Sequence, residues 1–208
     1  MVTKLVVVGI GPGSPEYMIP AAQKEIATAD VVVGGRRALD TLASEWQQKI
    51  PITGKLGDLQ AELERLSEHL HVAVLVSGDP GYYSLLGWLK RTFPDVAIEV
   101  IPGLSSVQVA FAHLAETWQD ADWLSFHGRT PSDAELVYEP GRKVAFLTDR
   151  KQSGAFICRV LMSAGWPKEA HVAMLERISY EDERKQEGTL EEGAEWPDFT
   201  EAVVVVQG

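Results

Sequence analysis

Short runs of β-branched residues alternate with helix-patterned stretches through the first half of this 208-residue chain, and this alternation restricts the fold more than any other feature. The runs occupy residues 5–8, 31–33, 72–76 and 96–101. They are brief and almost continuously apolar, as expected of strands buried on both faces of a sheet. Between them, residues 19–29, 56–70 and 83–93 carry apolar side chains three and four positions apart, which is one face of a helix. Strands and helices in strict succession call for a mainly parallel sheet with right-handed crossovers.

A polar, weakly patterned segment, "AETWQDAD", follows a helical stretch at 105–114. We place a boundary near Glu116, which gives lobes 1–115 and 116–208. The second lobe has its own strand runs at 123–126, 144–147, 172–175 and 202–206, with helical patterns at 154–164 and 131–137. The charged stretch "EDERKQEGTLEEGAEWPD" reads as an exposed loop, so the last two strands should pair as an antiparallel, hairpin-like unit. The expected fold is therefore α/β, with two α/β lobes, a mainly parallel sheet in the first, a mixed sheet in the second and a ligand cleft between them.

Composition removes several function classes. A net charge of −11 opposes nucleic-acid binding, which needs a positive field to collect phosphates. The longest apolar runs are too short to cross a bilayer, and the opening residues run straight into a strand, so neither membrane span nor signal peptide is expected. Cys158 is the only cysteine, which rules out an internal disulfide and fits a reduced cytoplasm. The five histidines form no helical pair with a nearby carboxylate, and no metal is expected.

The first strand ends in "VVVGIGPGSP". Gly9 and Gly11 match a dinucleotide-binding G-x-G-x-x-G, but Ser14 stands at the third glycine position. Pro12 has no N–H to offer a phosphate, and Pro15 restricts Ser14. A phosphate nest needs several convergent N–H groups, and this turn removes two. After the second strand, Gly34-Gly35-Arg36 stands where a ribose-binding acid is expected. A nucleotide-dependent oxidoreductase survives only as a remote NADP reading through Arg36. The remaining readings are a phosphate-free ligand approached closely over Gly9, Gly11 and Gly13, or a tight turn with no ligand. Three further strand ends favour a ligand: "SGDPGYYS" at 77–84, "PGLSS" at 102–106 and "HGR" at 127–129. Each puts small, turn-forming or polar residues at the carboxyl edge of a strand, where open α/β sheets bind ligands.

With "VGIGPGSPEYMIPAA", "SGDPGYYSL" and "PGLSSVQVA" in this order, the chain resembles the tetrapyrrole methylases, the class III S-adenosylmethionine-dependent methyltransferases, over essentially its whole length. "LSFHGR" and the compact second lobe are most similar to the carbon-5 branch, the precorrin or cobalt-precorrin methyltransferases of cobalamin biosynthesis. The resemblance implies S-adenosylmethionine as cofactor, S-adenosylhomocysteine as product, a late corrin precursor as substrate and a homodimer. Larger relatives carry an added carbon-15 methylating and decarboxylating domain, so a separate protein is expected to complete that step. By motif position, the resemblance implies cofactor contacts at Pro12, Ser77, Gly78, Asp79, Tyr82, Ser105, Ser106 and His127, and at the backbone around Ile178. Ser77-Gly78-Asp79 and Ser105-Ser106 stand where many relatives have Gly-Gly-Asp and Thr-Ala. Methylation at another tetrapyrrole position is the alternative within the same fold.

Methyl transfer from a sulfonium releases a neutral thioether, so alignment and water exclusion matter more than acid–base groups. No catalytic side chain is assigned. Several positions keep two readings. Asp79 either shapes the cofactor pocket or serves as an Asp-Pro-Gly turn former. Tyr82 and Tyr83 are ligand contacts or core aromatics, Ser105 and Ser106 are contacts or helix caps, and His127 is a contact, a base or a satisfied structural histidine. A polycarboxylate substrate calls for guanidinium groups. The candidates are Arg36, Arg37, Arg150, Arg177 and, foremost, Arg129.

Overall fold

The computed structural model of the chain describes residues 3–208, and it divides between Ser105 and Ser106 into two compact units. The division falls before the expected break near Glu116, because the helix that opens the second unit packs on strands of that unit.

The first unit contains β1 (Lys4–Gly9), α1 (Pro20–Thr28), β2 (Val31–Gly34), α2 (Arg36–Leu42), β3 (Gln48–Pro51), α3 (Leu56–Arg65), β4 (Val72–Val76), α4 (Leu86–Thr92) and β5 (Ala97–Ile101). Its sheet runs β3-β2-β4-β1-β5 with every pairing parallel; Val6 aligns with Ala73 on one side and Glu99 on the other. Alternate residues feed two separate cores. Leu5, Val7, Val31, Val33, Val72 and Val74 pack with Leu59, Leu63, Leu89 and Phe93 of α3, α4 and the α4 C-cap. Val6, Val8, Val32, Ala73 and Leu75 pack with Ala22, Ile26 and Leu39 of α1 and α2. The central strands are thus buried on both faces, as their apolar runs require.

The edges depart from the sequence reading. β5 lies at an edge and is not buried on both faces; Val100 is 45% exposed. At the other edge β3 buries only Ile50, which is why no apolar run announces it. α2 is short, begins after Gly35 without a side-chain cap and buries only Leu39.

The second unit contains α5 (Ser106–His113), β6 (Ala121–Ser125), α6 (Asp133–Leu136), β7 (Lys143–Leu147), α7 (Gly154–Ser163), β8 (His171–Glu176), β9 (Arg184–Thr189), α8 (Leu190–Gly193) and β10 (Ala202–Gln207). The sheet order is β6-β7-β10-β8-β9. β6 and β7 are parallel and the other pairs are antiparallel, so the sheet is mixed as expected. Phe146, Val204, Val206, Val172 and Met174 form one core with Ile157, Cys158 and Leu161 of α7 and Leu190 of α8. α5 packs against β7 and β10 and buries Val107, Val109, Ala110 and Phe111. β8 and β10 pair antiparallel as expected, but the charged stretch between them is not all loop. It supplies edge strand β9 and helix α8, whose start is fixed by a Thr189–Glu192 capping box.

Candidate functional site

In the first unit, three strand-end turns are fastened to one another, two through their backbones and the third through a side chain. The Ile10 N–H donates to Val76 O at 3.0 Å, and the Gly78 N–H donates to Gly11 O at 2.8 Å. Gly11 and Gly78 both hold left-handed backbones, with φ of 77° and 71°. Asp79 then ties in the third turn. Its carboxylate accepts from the Gly81 N–H at 2.7 Å and from the Gly103 N–H at 3.1 Å. The turn-forming reading of Asp79 is met here, and the same carboxylate also fixes the position of a neighbouring turn.

The glycines have a different purpose from the one expected for Gly9. A Cβ on Gly9 would lie 2.6 Å from Gly103 N, and one on Gly103 would lie 2.3 Å from Gly78 O. The room left by these missing side chains is filled by the chain's own backbone, not left open to a ligand.

The remaining first-unit candidates surround this knot. Pro12 is half-buried in the first turn, and Ser14 accepts from the Glu16 N–H at 3.3 Å to start a 3-10 turn at Pro15–Tyr17. Ser77 is exposed at the end of β4, whereas Ser105 is only 2% exposed. Tyr82 is half-buried, its ring 4.7 Å from that of Tyr83 in an edge-on pair, and burial pushes its phenol well above the usual range, followed by the effect of Tyr83. Tyr83 itself is exposed and has φ of 44°. The donor set fits a phosphate-free cationic ligand. Its side chains are hydroxyls and one carboxylate, and Pro12 has no N–H to offer a phosphate.

In the second unit, Ser106 is the first residue of α5. His127 is exposed just beyond β6. Its Nδ1 lies 3.2 Å from Thr148 O, and a carbonyl can only accept, so Nδ1 donates in this contact. The His127 N–H donates to Ser125 Oγ at 3.1 Å, and the Gly128 N–H donates to the Asp149 carboxylate at 3.2 Å. Asp149 also accepts from the Lys151 and Gln152 N–H groups at 2.8 Å each. The N–H groups of Gln152, Gly128 and Lys151, in that order of effect, hold its carboxyl below the ordinary value. Asp149 was not anticipated; an Asp separated by one residue from the end of a strand run, in "TDRKQ", is its only signal.

Arg129 is exposed, and its charge is a minor cause of the lowered Glu135 carboxyl, after the hydrogen bonds to Ser132. Arg150 pairs with Glu201 at 3.5 Å and Arg177 with Asp182 at 2.6 Å, while Arg36 and Arg37 lie exposed on α2.

Ile178, past β8, is 5% exposed and is flanked by two left-handed residues, Arg177 with φ of 55° and Ser179 with φ of 73°. Each such residue costs about 1–2 kcal/mol, so local ties must over-determine the turn. Glu176, at the end of β8, supplies one. It binds Arg184 through Nε at 2.8 Å and accepts the Thr200 N–H at 2.8 Å. In the sheet, β7 and β10 lie between the strands that carry His127 and Ile178.

The sequence model of the "Tetrapyrrole (Corrin/Porphyrin) Methylases" matches residues 4–194. This chain belongs to the tetrapyrrole methylase family. The methylase is 33% identical to a "Probable cobalt-precorrin-7 C(5)-methyltransferase" of Methanocaldococcus jannaschii, over 96% of this chain and 95% of that one. Among solved structures it resembles the precorrin-6Y methylase of Archaeoglobus fulgidus, with a TM-score of 0.74 and 27% identity over 99% of this chain and 98% of that one. It also shares the fold of a Thermus thermophilus uroporphyrin-III C-methyltransferase complexed with S-adenosylhomocysteine, with a TM-score of 0.82 and 24% identity over 98% and 96% of the two chains.

Proposed function

We propose that this methylase transfers a methyl group from S-adenosylmethionine to carbon 5 of a late corrin precursor, of cobalt-precorrin-7 or precorrin-6Y type, in cobalamin biosynthesis. One observation carries the position of methylation: the likeness to a carbon-5 methyltransferase extends over nearly the full length of both chains. The proline-bearing first turn supports the cofactor class, because it withholds the N–H groups a dinucleotide phosphate needs.

When bound, the cofactor supplies an electrophilic methyl on a sulfonium. The contacts we assign to it are Pro12, Ser77, Gly78, Asp79, Tyr82 and Ser105 from the first unit, and Ser106, His127 and the Ile178 backbone from the second. Asp79 acts mainly through geometry, since it holds the Gly78–Gly81 turn against the Gly103 turn. Fixed backbone of this kind aligns reacting atoms, and alignment alone supplies up to roughly 7–11 kcal/mol in favourable systems. Exposed Arg129 is assigned to substrate carboxylates.

We further propose that the enzyme is a cytoplasmic homodimer and that a separate protein carries out the carbon-15 step. Among the described residues, no helix is long and apolar enough to cross a membrane. The test is incubation of the precursor with isotopically labelled methyl donor, followed by mass spectrometry and NMR of the product. Label on carbon 5 supports the assignment. Label on another ring position moves the enzyme to a different step of the family, and tight NADP binding without S-adenosylhomocysteine binding ends the methyltransferase reading.

A further inference from the structure

We propose that Glu183 is a positioning residue for cofactor recognition, acting through the left-handed turn on either side of Ile178, with His113 holding Glu183 in place. The inference rests on the reading of the Ile178 backbone as a cofactor contact and adds the device that fixes it.

The geometry is a relay from helix to turn. Glu183 lies just before β9 and divides its carboxylate between two donors. One oxygen accepts the Ser179 N–H at 2.8 Å, and the other accepts from His113 Nδ1 at 2.7 Å. His113 is the last residue of α5, which packs on β7 and β10, so the carboxylate is referred to the body of the second unit. The turn has its own backbone closures, from the Tyr180 N–H to Arg177 O at 3.0 Å and from the Glu183 N–H to Tyr180 O at 3.1 Å. Arg177 is drawn to one side by Asp182 and lies 4.9 Å from the centroid of the Tyr180 ring. These ties converge on residues 177–180, where two non-glycine residues hold positive φ and the buried Ile178 side chain anchors the middle.

Such a turn has cheaper conformations available to it, and nothing in its composition favours this one. Beside the backbone closures, the Glu183 carboxylate biases the turn toward it by accepting the N–H of the left-handed Ser179. A backbone held this way presents the Ile178 N–H and C=O in one fixed direction, as recognition of a planar heterocycle's edge requires. Loss of the carboxylate frees the turn and reduces the binding-competent fraction, which raises the apparent dissociation constant by the same factor.

The experiment uses the full chain and S-adenosylhomocysteine as the probe. Hydrogen exchange on the wild type should show protection of the 178–180 amides when the probe binds. Calorimetry should then give about a tenfold weaker Kd for Glu183→Ala and a smaller loss for Glu183→Gln, whose amide oxygen still accepts the Ser179 N–H. In turnover, KM for the methyl donor should rise more than kcat falls. Wild-type protection with unchanged affinity in Glu183→Ala overturns the positioning role and leaves the Ile178 contact standing. Absence of wild-type protection removes that contact and the proposal with it. Should Glu183→Ala fail to fold, His113→Gln carries the test, with a several-fold weaker Kd expected and unchanged affinity overturning the proposal.

Discussion

Asp79 joins two turns with a single carboxylate, and its two oxygens meet the N–H groups of Gly81 and Gly103. Hydrogen bonds to a charged acceptor contribute about 1.5–3 kcal/mol, so Asp79→Ala should lower the melting temperature of the protein. If the turns also hold the cofactor, affinity for S-adenosylhomocysteine should fall more than stability does. Calorimetry beside a thermal melt separates the two effects, and a lowered melt with unchanged affinity leaves Asp79 a turn residue only. Asp149 makes a prediction about pH. Its carboxyl is depressed in the folded state, so its contribution is complete above the unfolded carboxyl value and disappears as pH falls through the depressed one. The gap in melting temperature between wild type and Asp149→Asn should therefore be steady from about pH 7 to about 5 and close below about pH 4. Cys158 takes no part in the site; burial, the largest cause, pushes its thiol up to about 12.

At the scale of elements, β1, β2 and β4 are legible because a strand covered on both faces must be apolar throughout. β5 has the same apolar look yet lies at an edge, and residue type alone does not say how many neighbours a strand has. β3 and β9 escape detection for the converse reason. Their strand geometry comes from hydrogen bonds to β2 and β8, and "RKQEGT" has no apolar alternation to reveal it. The strand-end turns announce themselves through Gly, Pro and Ser. The His113–Glu183 contact does not, because it joins residues 70 positions apart and neither belongs to a motif. The glycines of the turns are visible in the sequence, but what fills the space beside them is not. Gly103→Ala tests this directly. Its Cβ would enter the backbone of Gly78, so the first unit should lose about 2–4 kcal/mol in chemical denaturation, far beyond the propensity cost of the change.

The molecule as a whole carries a charge of −11 and would work on a substrate rich in carboxylates. Self-repulsion of that size opposes compaction and is screened by salt. Raising NaCl from about 0.02 to 0.3 M should therefore raise the melting temperature by about 2–5 °C, and a fall would show that specific ion pairs outweigh the net field. The two α/β units, with a parallel sheet in one and a mixed sheet in the other, follow from the run-and-gap pattern of the sequence. The exact seam does not, since α5 is assigned by what it packs on. The packing of Gly9, Gly78 and Gly103 also bears on how variation in this enzyme should be interpreted. A randomised library screened for nothing but soluble expression would already return glycine at 9 and 103. Invariance at those two sites therefore measures foldability, and selection for methyl transfer must be sought among their neighbours.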